Sequence, residues 1–160
     1  MNELQSFLSA TERCVAQCKT MLGFEQEKRQ ALLSDDLTRL ENMIQSQQAA
    51  IMKLESLEKQ RIEAQEKAGY HQLSAEEIIE LLDEGPDKEV LTRQVGELKQ
   101  TLEEIRHHND KAMEIARANL QIVNSLAAGK EQKERQGLYR PGGAGEWRTV
   151  SPGTSFETKI

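Results

Sequence analysis

The stretch Leu91–Leu126, LTRQVGELKQTLEEIRHHNDKAMEIARANLQIVNSL, decides how the chain folds. Apolar or small residues recur at Leu91, Val95, Leu98, Leu102, Ile105, Ala112, Ala116, Val123 and Leu126, in steps of four and three or their sum. That spacing sets side chains on one face of an α-helix. A helix over these 36 residues is about 54 Å long at 1.5 Å per residue, far beyond the usual three turns, so it needs partner helices of similar length. Asn109 and Asn119 interrupt the seam at inward positions. There an Asn either fixes the register of packed helices or bonds a partner's backbone.

The partners lie upstream. A helix from about Asn2 to Leu33 carries Leu4, Phe7, Leu8, Cys14, Val15, Cys18, Met21 and Leu22 on one face. Glu25, Lys28 and Arg29 then interrupt that face, so its far half is expected to be less buried. Ser34, Asp35 and Asp36 supply capping oxygens and negative charge where a second helix begins, which predicts a helical hairpin. The second helix holds Leu37, Leu40, Met43, Ile44, Ile51, Leu54 and Leu57, and continues through Arg61 to Lys67 before Gly69 and Tyr70 end it. Ser74 and Glu77 fit a capping box ahead of Ile78, Ile79, Leu81 and Leu82, predicting a short amphipathic helix. Gly85 stops it, and Pro86 with Asp87 starts the long helix, expected to end near Gly129. The expected fold is all-α: an elongated antiparallel helical bundle of three long helices and one short one over residues 1–129, followed by a flexible tail over 130–160.

Composition agrees with a helical bundle. Hydrophobic residues make up 37% of the 160 and charged residues 30%, with six aromatics in all, giving a thin core of Leu, Ile, Val, Ala and Met beneath a solvated surface. The net charge of -6 and the lack of a basic stripe argue against nucleic acid as a partner. No basic leader and no apolar run of membrane-spanning length is present, which predicts a cytoplasmic protein with no membrane insertion. Cys14 and Cys18, four apart on the apolar face, read as small buried hydrophobes, because a bridge within one helix has poor geometry.

The tail differs in kind. Residues 130–160 hold five of the ten Gly and two of the three Pro, with a net charge of +2 against -8 for residues 1–129. They also hold Tyr139, Trp147 and Phe156, half of the aromatics. Large aromatics on a Gly-rich segment anchor a binding partner or fold back onto the bundle.

Signs of chemistry are few. Glu104 and His107 have the E-x-x-H spacing of di-iron bundles, but the second pair and the two further inward Glu are missing, so no metal, cofactor or catalysis is expected. The tail glycines lack the strand-turn-helix setting of a phosphate loop. The composition points to an interaction protein. Three long helices leave an apolar groove open to a fourth, and Leu120, Ile122, Val123 and Leu126 are placed there, with Ala116, Asn109 and Asn119 on the same candidate partner-binding face.

This order of parts resembles the FlgN family of flagellar export chaperones: a hairpin, a short helix, a long helix with inward Asn, then a tail. The residues carrying the likeness are Arg61 ending the hairpin's second helix, Asn109 and Asn119 near Leu120, and Tyr139 before the Gly-rich stretch. The resemblance implies a cytosolic chaperone without ATP hydrolysis. Such a chaperone holds hook-filament junction (hook-associated) proteins by their C-terminal segments and presents them to the flagellar type III export apparatus. It also implies an export-gate contact for Tyr139. The competing expectation is a self-associating structural or regulatory coiled coil, whose partner is a second copy in a homodimer.

Overall fold

The computed structural model describes residues 2–134. Its helices are α1 (Glu3–Leu33), α2 (Leu37–Lys67), α3 (Ala75–Leu81) and α4 (Pro86–Glu134), with no strand among the described residues.

Local signals set the boundaries. Asn2 caps α1 by accepting from the Gln5 amide at 2.7 Å, and Asp36 caps α2 through the Arg39 amide at 3.0 Å. Between them Asp35 takes φ 52°, a left-handed conformation that Asp tolerates, and the Asp36 amide reaches back to the Ala31 carbonyl at 3.2 Å. At the end of α2, Gly69 supplies φ 90°, and the Tyr70 amide bonds the Gln65 carbonyl at 3.1 Å, satisfying carbonyls the helix leaves free. Both halves of the Ser74–Glu77 capping box are formed: Glu77 N donates to Ser74 Oγ at 3.2 Å, and Ser74 N to Glu77 Oε2 at 2.7 Å. At the other end of the chain Gly129 does not stop α4, which continues to Glu134. A lone Gly costs a helix about 1 kcal/mol, which the surrounding turns can carry.

The long helices run up, down and up. Gln5 Nε2 donates to Asp87 Oδ1 at 2.8 Å, Lys19 Nζ lies 2.9 Å from Glu97 Oε2, and Lys28 Nζ donates to Asn109 Oδ1 at 3.3 Å. These contacts climb both helices together, so α4 runs parallel to α1 and α2 antiparallel to both. Helix α1 is the central element on which α2 and α4 pack.

The core has three apolar layers. The lowest joins Phe7, Leu8, Ile78, Leu91 and Val95, where α3 closes the end of the bundle. Phe7 and Tyr70 meet there with ring centroids 6.4 Å apart. The middle layer joins Val15, Cys18 and Met21 of α1 to Ala50, Leu54, Leu98 and Ile105. The upper layer joins Ala31, Leu32, Leu40 and Ala112, with Ile44, Ile115 and Ala116 against it.

The far half of α1 overturns the expectation of lesser burial. Glu25 is 0% exposed, and Lys28, Ala31 and Leu32 are buried. Glu25 and Lys28 form a polar layer between the middle and upper apolar layers. Gln47 Nε2 donates to Glu25 Oε1, while Lys28 Nζ stands 2.9 Å from Glu25 Oε2 and also donates to Asn109. No hydrogen bond of good geometry reaches Glu25 Oε2, so the Lys28 attraction at that oxygen is Coulombic. Side chains from three helices satisfy charges that look misplaced on α1 alone.

Cys14 and Cys18 are free and fully buried. Burial pushes each thiol from 9.0 up to about 12, with the Glu58 carboxylate adding to it. A rise from 9.0 to about 12 lowers the thiolate fraction about a thousandfold. In the folded protein both thiols should therefore react with iodoacetamide at neutral pH at least that much more slowly than in urea. Rapid labelling of the native chain would contradict this packing.

Candidate functional site

The hairpin of α1 and α2 is shorter than α4. The upper core layer ends at Ala116, and residues 117–134 of α4 project beyond the hairpin turn by about 27 Å at 1.5 Å per residue. Their apolar side is not a new face. At 100° per residue, Asn119 and Val123 keep the bearing of Ala112 and Ala116 to within about 60°, with Ile122 and Leu126 on one flank and Leu120 on the other. The seam that is buried at Leu91, Val95, Leu98, Ile105 and Ala112 thus runs on without a partner.

Exposure confirms it. Ile122 is 60%, Val123 49% and Leu126 69% exposed, while Asn119 and Leu120 are half-buried. Leu33 and Leu37, at the two sides of the hairpin turn, are also exposed. The twelve residues Ala118–Gly129 carry no ionisable side chain, although 30% of the chain is charged. A solvated helix face normally alternates charges for solubility, and a bare, uncharged apolar stretch is the signature of a surface that another segment covers.

The expected site residues divide between two settings. Asn109 accepts from Lys28 inside the bundle and Ala116 packs on the upper core layer, so both already have partners. Asn119, Leu120, Ile122, Val123 and Leu126 belong to the projecting part. Tyr139 and the tail over 135–160 lie outside the described residues. Leu37, expected on the apolar face of the second helix, is instead 71% exposed, because at the first position of α2 it lies beyond the upper core layer that buries Leu40.

Other constellations have structural roles. Arg61 Nη2 and Nε donate to Glu58 at 2.6 and 2.9 Å, and Arg61 Nη1 to Gln65 Oε1 at 3.0 Å. Gln65 Nε2 in turn holds the Tyr70 and Leu73 carbonyls, both at 2.9 Å. Burial disfavours the Arg61 charge, but the hydrogen bond and charge of Glu58 outweigh it and raise the guanidinium above its ordinary value. Arg61 thereby fixes the loop that seats α3. His107 and His108 meet edge to face with centroids 5.7 Å apart, and His108 Nδ1 lies 3.4 Å from Arg29. Among the described residues no group of three His, Cys, Asp or Glu is placed to hold a metal ion, and no helix is long and apolar enough to cross a membrane.

Compared with known families, residues 1–146 match the family model described as FlgN protein. No curated protein and no solved structure matches the chain.

Proposed function

Since the chain belongs to the FlgN family, a family of flagellar export chaperones rather than enzymes, we propose that it binds the C-terminal segment of a hook-filament junction protein on the projecting end of α4. The observation that carries this reading is the continuation of the core-facing seam past Ala116 into exposed Ile122, Val123 and Leu126. An amphipathic client helix laid along that seam would extend the bundle by one helix, with Leu120 and Asn119 beside the contact and the half-buried Ala116 at its lower edge. The uncharged stretch from Ala118 to Gly129 suits an apolar client face. Binding takes place in the cytoplasm, and the client is then presented to the flagellar type III export apparatus. The domain arrangement proposed is a bundle that holds the client and a tail, with Tyr139, that engages the export gate.

Calorimetry with a purified C-terminal fragment of a hook-filament junction protein tests it. Binding at tens of micromolar or better, about -6 kcal/mol or more, is expected for the intact chain. Tyr139→Ala should keep that affinity while lowering export of the client in cells, because its position lies beyond the contact. No binding in this range sinks the chaperone reading, and self-association of the intact chain on dilution-sensitive sedimentation would then favour the homodimer.

A further inference from the structure

We propose that the segment Trp147–Phe156 of this same chain covers the bare face of α4 in the free protein. The docking stands on its own observations, while its consequence, competition with the client, rests on the function proposed above.

The face needs an apolar, nearly uncharged occupant, since Ala118–Gly129 has no ionisable residue and exposes Ile122, Val123 and Leu126. The segment WRTVSPGTSF, residues 147–156, answers with a single charge, Arg148, between two large aromatics and Val150. Trp147 is the chain's one tryptophan. Both aromatics lie past residue 146, where the match to the family ends.

The tether has the right length. A Gly-containing coil of twelve residues, the number from 135 to 146, four of them Gly, would have a root-mean-square span of about 19 Å. From Glu134, Leu126 is about 12 Å back along the helix and Ile122 about 18 Å at 1.5 Å per residue. A span matched to its linker gives an effective concentration near millimolar, which a second copy of the chain reaches only at millimolar protein. The opposite net charges, +2 for residues 130–160 and -8 for 1–129, act in the same direction. That contribution is screened by salt and secondary to the apolar contact.

Trp147 fluorescence reads the docking directly in the intact chain. The expected result is a blue-shifted emission with weak acrylamide quenching at low micromolar protein. Both should be lost in Ile122→Asp/Leu126→Asp, whose helical circular dichroism stays unchanged because those side chains lie outside the core. Free quenching of Trp147 in the intact chain overturns the proposal, as does protection that survives in the double variant. Protection that appears only as protein concentration rises overturns it too and assigns the face to a second copy. For the regulatory consequence, Trp147→Ala/Phe156→Ala should bind the junction-protein fragment more tightly, by about tenfold if the face is nine-tenths covered. Unchanged affinity overturns the competition. A fragment that does not bind at all counts against the client reading instead, and the fluorescence still decides the docking.

Discussion

Replacing Lys28 with Met is expected to destabilise the bundle by about 3 to 5 kcal/mol, the cost of leaving a buried charge without its counterion. Glu25 is 0% exposed, and without Lys28 its carboxylate keeps only the Gln47 amide. Met retains most of the aliphatic stem, so packing changes little and the loss reports the stranded charge. For a bundle of this size the melting temperature should fall by roughly 10 to 20 °C. Adding Glu25→Gln should recover most of that loss, because a neutral amide can still pair with Gln47 and strands no charge. The comparison is Lys19→Met. Lys19 pairs with Glu97 at 2.9 Å but is about half exposed, and its removal should cost under about 1 kcal/mol. Equal losses at the two lysines in thermal melts would show that Glu25, Lys28, Gln47 and Asn109 do not form a closed polar cluster.

The second large effect falls on binding rather than on stability. Val123→Asp combined with Leu126→Asp should weaken the junction-protein fragment by two orders of magnitude or more, since each buried apolar side chain contributes about 1.5 to 3 kcal/mol. The same double variant should melt within about 1 kcal/mol of the parent, because neither residue belongs to a core layer. Ala112→Asp provides the contrast. That side chain is buried in the upper layer, so its loss of binding would come with loss of fold. Full affinity in the Val123→Asp/Leu126→Asp chain, measured by calorimetry, would place the client elsewhere on the bundle.

Much of this architecture was legible because its causes are local. The 3-4 spacing of apolar residues, the Ser74–Glu77 capping box, the Asp36 cap and Pro86 at a first helical position each act within a turn or two of chain. Gly129 misled for the same reason, since a helix stop read from one residue ignores the turns on either side that carry it. That Leu120, Ile122, Val123 and Leu126 are apolar and extend the seam of the long helix was legible, but the expected groove between helices was not what they line: they lie on the part of α4 past Ala116, beyond the last core layer.

Sequence alone determined the all-helical class, the order of the helices and most of the residues on each apolar face, because helix periodicity and capping depend on neighbours in the chain; Leu37 and Leu81, read onto such faces, are exposed, and Gln47 and Glu58 are buried. Only the tertiary structure decided which part of each face is covered. The burial of Glu25 and Lys28 depends on Gln47 and Asn109, residues 22 and 81 positions away in sequence, meeting them in one layer. The exposure of Val123 and Leu126, against the burial of Leu91 and Leu98 on the same seam, depends on where the α1–α2 hairpin turns relative to α4. Periodicity states that a face is apolar; the length and register of the neighbouring helices state where it runs out of partners.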